Sequence, residues 1–343
     1  MAVYIDENLN DPRLYFQVQL YTGTGSSQAI TLSGATDMAL DILWIHNRDA
    51  AEGIDIYDRL RGVTSRMRTS TTAVEDDQSA NSVSAIGTDG FTVVSNTATN
   101  ADTNKYVAYC WDESVTAGCD IVLYSGTGST QTVSHSLSAV PHVMIVKRRN
   151  EVEDWQVYHH KNTAAPETDH LVLNSTALTA DDAARWNDTA PTSSVFTVED
   201  HASTNEASDT YVAYLFTEKQ GYSKFGSYVG NGVSSGVNQL GGPFTFVGFK
   251  PAFLMIKEAA GTAGQGWMIF DSSRSPTNRV DHELKGNNNA AETTESHWVD
   301  FYANGFNTRT NGTAINRSGS TYIYMAFAEA PFVNSNGVPC NAR

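Results

Sequence analysis

The chain has 343 residues, only 17% of them charged, and a formal net charge of −16. Nucleic-acid affinity comes mainly from Lys and Arg neutralising phosphates, so this balance excludes a nucleic-acid partner and discourages docking on anionic lipid. No apolar run approaches the ~18 residues of a membrane span, so membrane insertion is not expected either.

The first residues, Met1 to Asn8, carry no basic segment followed by an apolar run, and no signal peptide is expected. From Leu14 to Thr22 apolar and polar residues alternate, the period-2 pattern of a strand. Gly23-Thr24-Gly25 then breaks the chain, and Gln28 to Ser33 reads as a return strand across a tight hairpin. Ile42-Leu43-Trp44-Ile45 is a continuous apolar run, as expected of a central strand buried on both faces. Ile54 to Tyr57 follows as another strand. Thr88-Asp89-Gly90 turns into Phe91-Thr92-Val93-Val94, and Tyr106 to Glu113 is an aromatic strand ending in acids. Single helical turns are expected at Thr72 to Asp77 and at Asp181 to Trp186.

The same order then recurs twice. Tyr21-Thr22-Gly23-Thr24-Gly25 returns as Tyr124-Ser125-Gly126-Thr127-Gly128 and as Tyr228-Val229-Gly230-Asn231-Gly232. The apolar run returns at Val143 to Val146 and Phe253 to Ile256, and Tyr57 is matched by Tyr158 and Phe270. Phe91 is matched by Phe196 and Phe306, and the closing strand by Tyr211 to Glu218 and Tyr322 to Glu329. The period is about 105 residues, far beyond the 20–50 of solenoid units, so each copy is long enough for its own core. The reading is an all-β chain of three tandem β-sandwich, jelly-roll-like modules, rigidly packed: a lead over 1–13, then modules over 14–118, 119–222 and 223–343. The connectors are too short for flexible tethers, so the modules form a rod or a closed pseudo-three-fold cluster. Copy two departs at Ser193-Ser194-Val195, where the other copies have a turn glycine before Phe196.

Superposing the copies also weighs the chemistry. What agrees is apolar or glycine, whereas Asp58 falls opposite His159 and Asp271, and Asp41 opposite His142 and Ala252. No catalytic group is held in register, and no enzyme is expected. Tyr158-His159-His160-Lys161 offers adjacent imidazoles, but neighbours on a strand point to opposite faces and do not share a metal. Asp102, Asp112, Asp120 and Asp209 lack calcium-loop spacing, and Asp281-His282-Glu283 with His297 reads as exposed loop. There is no G-x-S-x-G elbow, and the Gly-x-Gly turns precede strands rather than helices, so neither a nucleophile nor a nucleotide site is read. No cofactor and no metal are expected. Sequons at Asn174, Asn187, Asn311 and Asn316 are what an Asn/Ser/Thr-rich chain makes by chance. Cys110, Cys119 and Cys340 make no disulfide framework; Cys110 reads as core, and a Cys110–Cys119 bridge stays open. Of the aromatic residues, Trp155, Trp186, Trp267 and Trp298 are candidates to stack on a sugar or anchor a protein, with core filling as the alternative.

Tyr15 to Gly25, Asp41 to Asp49 and Ile56 to Val63 resemble a module repeated in virion structural and tail-fibre-like proteins of marine tailed bacteriophages, cyanophages among them. Gly221 to Tyr228, Gly248 to Lys257 and Tyr322 to Phe332 are similar to its later repeats. The resemblance implies a non-enzymatic virion protein, made in the host cytoplasm and displayed on the particle exterior, with no catalytic residues to transfer. A tail-fibre or appendage component for host attachment is the favoured form, because multiplied modules suit weak multivalent contact. The partners it implies are other virion proteins and a host cell-surface glycan or protein, with either a homo-oligomer or a pseudo-three-fold monomer. A capsid decoration or head-appendage protein is the first alternative. A tail-associated glycan-degrading enzyme, which needs two carboxylates roughly 5–9.5 Å apart, is the second.

Overall fold

The computed structural model describes Leu9 and residues 11–33, 37–78, 81–234, 241–262, 264–294 and 297–331; Cys340 lies outside them. It is nearly all β and its sheets are antiparallel. One large sheet runs in the spatial order Phe16–Thr22, Lys105–Trp111, Ile42–Asn47, Asp55–Asp58, Gly62–Arg68, Asp76–Asp77. A second runs Cys119–Ser125, Thr210–Phe216, Val143–Arg148, Gln156–His159, Asp169–Val172, Ala180–Asp181. A third runs Ser223–Val229, Thr321–Pro331, Phe249–Ala260, Met268–Asp271, Leu284–Lys285. The order is the same in each, and so is the register: Tyr21, Tyr124 and Tyr228 pair with Tyr106, Tyr211 and Tyr322. These pairs stack with ring centroids 5.0, 5.1 and 5.2 Å apart.

Three small sheets lie over the large ones: Gln28–Thr31 with Gly90–Val93 and Val83–Ile86, then Gln131–Ser134 with Val195–Val198, then Phe244–Phe246 with Gly305–Thr308 and Val299–Tyr302. Each small sheet closes an apolar layer against its large sheet, as Ile30, Phe91 and Val93 do against Leu43, Ile45, Tyr57 and Ala108. The equivalent layers around Phe196 and Phe306 give each of the three the character of a β-sandwich. The opposite faces of all three large sheets bury one common core. At its centre Trp111, Phe216 and Phe327, which hold equivalent registers, form a triangle with centroid separations of 6.3, 5.9 and 5.7 Å. Burial on both faces is why the central strands read as unbroken apolar runs. The largest core therefore belongs to no single stretch of sequence: strands of all three large sheets contribute to it.

The hairpin expected at Gly23-Thr24-Gly25 does not form. Phe16–Thr22 pairs with Lys105–Trp111, whereas Gln28–Thr31 pairs with Gly90–Val93, so the turn carries the chain from the large sheet to the small one. Its two glycines have different jobs. A Cβ on Gly23, Gly126 or Gly230 would sit within about 2.2 Å of a backbone oxygen, that of Ala101, Glu206 or Arg317. Gly25, Gly128 and Gly232 have φ of 66°, 65° and 68°. Of the two expected helical turns, the one at Thr72 to Asp77 does not form, whereas the one at Asp181 to Trp186 is present as a single hydrogen-bonded turn, with Asn187 N bonding Ala183 O at 2.9 Å. Residues 76–77 and 180–181 are edge strands, Asp76 being drawn to its neighbour by the Arg66 guanidinium. The short helices are Thr97–Asn100 and Thr313–Asn316, with 3₁₀ turns at Pro12–Leu14 and Pro166–Thr168. Cys110 and Cys119 are buried free thiols, not a bridge, and burial pushes both thiols up.

Candidate functional site

The richest clusters of charge lie between the large sheets. Backbone bonds run from Glu75 N to Arg149 O, from Thr179 N to Ala259 O and from Glu292 N to Arg48 O, so three seams close a ring. In the first seam Arg61 donates to Asp58 at 2.5 Å and to Glu75 at 2.9 Å. Arg149 grips Glu75 with two bonds, of 2.9 and 2.8 Å, and Tyr214 Oη donates to Asp58 at 2.6 Å. Another seam repeats this: Arg274 bonds Asp271 and Glu292, Arg48 grips Glu292 at 2.9 and 2.7 Å, and Tyr109 Oη donates to Asp271 at 3.0 Å. Each set is formally neutral, with the Asp and its adjacent Arg wholly buried. Burial opposes ionisation of Glu75 and Glu292, yet the arginine contacts outweigh it and hold both carboxyls below their ordinary value. The Asp and its adjacent Arg have no exposed surface for a substrate to reach, and the partly exposed Glu and second Arg of each set are held by one another across the seam, so these sets join sheets together.

In the remaining seam His159, Asn162 and Met325 stand where the others have Asp, Arg and Tyr. His159 Nε2 meets Tyr324 O at 3.1 Å, and burial lowers its pKa to about 3. His160 turns to Phe225 O at 2.6 Å, so the two imidazoles do not converge. Among the described residues no group of three or more His, Cys, Asp or Glu is placed to hold a metal. Lys147 and Lys257 lie buried beside two seams, each lowered to about 8 by burial, with Nζ donating to Thr72 O and Thr176 O across the seam.

Three of the four candidate tryptophans are core. Trp155, Trp186 and Trp267 are buried, and their indole N–H groups donate to Arg68 O, Asp169 O and Val172 O. Trp298 is different. It is half-buried on the outer face of the third small sheet, with the Arg279 guanidinium 4.8 Å from its ring centroid. Alternation along the strands fixes what shares that face. Phe244 pairs with Asn307, which pairs with Asp300; Phe246 pairs with Gly305, which pairs with Tyr302; and Arg309 N bonds Trp298 O. Thr245, Phe301 and Phe306 point inward, the two phenylalanines into the apolar layer.

The outer face is thus a row of aromatic rings beside a row of polar groups. Phe244 and Phe246 are 49% and 53% exposed, and Phe244 meets Tyr302 edge-on at 5.9 Å. Across the Gly305–Thr308 strand, toward the opposite edge of the sheet, a groove of about 460 Å³ is lined by Asn278, Arg279, Trp298, Asp300 and Arg309. Arg309 and Asp300 approach to 3.3 Å, and Tyr302 Oη donates to Asp300 at 3.3 Å. Burial, and then the Asp300 charge, raises the Tyr302 pKa, keeping the phenol protonated. Asn307 is 3% exposed; its Nδ2 donates to Gly242 O, while its Oδ1 has no partner among the described residues. The other two small sheets present Ala29 and Thr31, and Thr132 and Ser134, at the positions of Phe244 and Phe246.

Sequence reasoning picked Trp298 and missed the phenylalanines, although the contrast of Phe244-Thr245-Phe246 with Ala29-Ile30-Thr31 was there to find. It also missed a polar residue that recurs in all three copies. Asn100, Asn205 and Asn316 each accept from the backbone of the Gly-x-Gly turn, at Thr24, Thr127 and Asn231, at 2.9, 2.8 and 2.9 Å. Asn316, a nominal sequon, is wholly buried and used internally.

No curated protein and no solved structure matches this chain. A family described as a domain of unknown function, DUF7483, matches residues 11–331, nearly the whole length, and the chain belongs to that family.

Proposed function

We propose that this chain is a non-enzymatic structural protein of a tailed-phage virion, displayed on the particle exterior as part of a tail fibre or similar appendage that attaches to the host surface. In this reading residues 14–118, 119–222 and 223–343 are three β-sandwich modules with a lead over 1–13, and the third bears the contact surface. The observation that carries it is the asymmetry of the outer faces. Among the described residues the exposed aromatic pair Phe244 and Phe246 occurs on one small sheet alone, lies outside the buried layers and adjoins Tyr302, which favours a binding role for that face. The buried seams supply the rigidity that a contact surface at the end of an appendage needs. The phage setting rests on the resemblance of the repeated blocks.

The ring of three equivalent sheets favours a second reading, a capsid decoration protein seated on a three-fold lattice site. Immunogold labelling of virions separates the two. Gold along the tail appendages is expected; gold over the capsid replaces attachment with decoration, and unlabelled particles overturn the virion assignment. Release of reducing ends from host polysaccharide would overturn the non-enzymatic part.

A further inference from the structure

We infer that the outer face of the third small sheet is a subsite for a neutral pyranose oligosaccharide, which deepens the attachment reading and rests on it. The axial C–H face of a pyranose is apolar and weakly positive, and it packs on the negative face of an aromatic ring. Phe244 and Phe246, two residues apart on one face of a strand, offer two such platforms about 7 Å apart. The groove on the far side of the central strand, at about 460 Å³, falls in the range of small-molecule sites, and a chain of several sugars would span the rings and the groove together. A standard protein interface needs ~800 Å² per partner around an apolar centre, and two exposed rings flanked by charged rows do not supply one.

The polar row matches hydroxyls. A sugar hydroxyl both donates and accepts, and vicinal hydroxyls are best met by an acceptor and a planar donor set side by side. Asp300 and Arg309, 3.3 Å apart, are that pair, and both line the groove. Charge then selects among glycans. Each arginine lining the groove is paired with a carboxylate, Arg309 with Asp300 and Arg279 with Asp281, so the site is formally neutral, while the chain as a whole carries −16 and repels polyanions. The occupant is therefore a neutral chain rather than a uronate or sulfated one.

The test uses the full-length protein. Neutral gluco-, manno- and N-acetylglucosamine hexasaccharides are titrated against it, with a uronate hexasaccharide alongside, by calorimetry and by tryptophan quenching. The other five tryptophans, Trp44, Trp111, Trp155, Trp186 and Trp267, are buried, so shielding from acrylamide reports mainly on Trp298. At least one neutral hexasaccharide is expected to bind and to shield Trp298. Phe246→Ser should weaken that binding at least tenfold without changing the melting temperature, because the ring is exposed. Ala29→Ser, at the matching face of the first small sheet, should change affinity less than twofold. The inference is overturned if no neutral hexasaccharide binds at millimolar concentration, if the uronate binds tighter, or if Phe246→Ser leaves affinity intact. Adsorption of the full-length protein to whole host cells tells apart the two kinds of failure. Adsorption that persists and is lost in Phe246→Ser leaves attachment standing with a protein as the occupant. A protein that binds hexasaccharide but neither adsorbs to cells nor labels virions overturns the attachment reading and leaves the sugar subsite.

Discussion

Two of the three seams in the ring carry a buried set of two carboxylates and two arginines and one does not, although equivalent sheet edges meet at equivalent registers in each. Among the described residues the third is crossed by Lys257 alone of such charges. Asp58, Arg61, Glu75, Arg149 and Tyr214 in one, and Asp271, Arg274, Glu292, Arg48 and Tyr109 in another, bury two formal ion pairs behind full hydrogen bonding. The other seam solves the same problem with neutral groups: His159 on Tyr324 O, and Thr179 donating to Asn162 at 2.6 Å. It also holds a small apolar void of about 10 Å³ against Val143, Met255, Trp267 and Met325. The fold thus needs the backbone bonds and the shared apolar core, while the charges specify which edges meet. A buried ion pair is weak evidence for net stability, because desolvation takes back most of what attraction gives. Breaking one is another matter.

That asymmetry sets the largest expected effect. Arg61→Met or Arg274→Met leaves a wholly buried Asp and a half-paired Glu uncompensated, and should cost about 3–5 kcal/mol in denaturant unfolding. Asn162→Ala, at the equivalent place in the neutral seam, removes a neutral hydrogen bond and should cost about 1 kcal/mol. Equal costs at the two positions would mean that the charges do not distinguish the seams. Next in size is the phenol. Tyr214→Phe and Tyr109→Phe each delete a hydrogen bond to a buried carboxylate and should cost about 1.5–3 kcal/mol. Met325→Leu, at the same register of the neutral seam, keeps volume and polarity and should cost less than ~1.5 kcal/mol. A Tyr214→Phe protein as stable as the parent would show that Asp58 is satisfied by Arg61 alone.

What the sequence made legible follows from what the physics repeats. Alternation and the doubly buried runs announced an all-β fold, because every copy of those strands answers to the same two apolar layers. The Gly-x-Gly turn was legible as a turn and misleading as a hairpin. Gly25 needs its positive φ in either case, but the close approach of Gly23 to Ala101 O depends on a segment some 75 residues away and favours a crossing between sheets. The seams were hidden for a related reason. Glu75 is 14 residues from Arg61 and 74 from Arg149, and no local pattern joins them. Asp58 was seen to match Asp271, but His159 between them made the position look unconstrained. It is constrained in each seam, by different chemistry. The outer aromatic face was half legible: Trp298 stood out by type, whereas Phe244 and Phe246 stand out only once their strand is known to lie at the surface.

The smallest effect concerns pH, and it isolates the neutral seam. Burial holds His159 neutral down to about 3, while in the unfolded chain it protonates near 6.5. Between those values the unfolded state binds the extra proton, so stability is lost as pH falls from 6.5 toward 3. Glu75 and Glu292 of the charged seams, held below 4.5, lose their contribution only at lower pH, as acid reaches their folded pKa values. From pH 7 to 5 the weakening therefore comes from histidine. His46, His142 and His170, each lowered to about 4 by burial, weaken the fold in the same direction. Glu113, raised to about 7, strengthens it instead, since there the folded state binds the proton. All of these groups remain in a His159→Gln protein. Its urea midpoint at pH 5 should fall less below its pH 7 value than the parent's does, by the equivalent of about 1–2 kcal/mol. Identical pH dependence in the two proteins would mean that His159 takes up its proton inside the fold, and that the neutral seam opens to water where the charged seams stay shut.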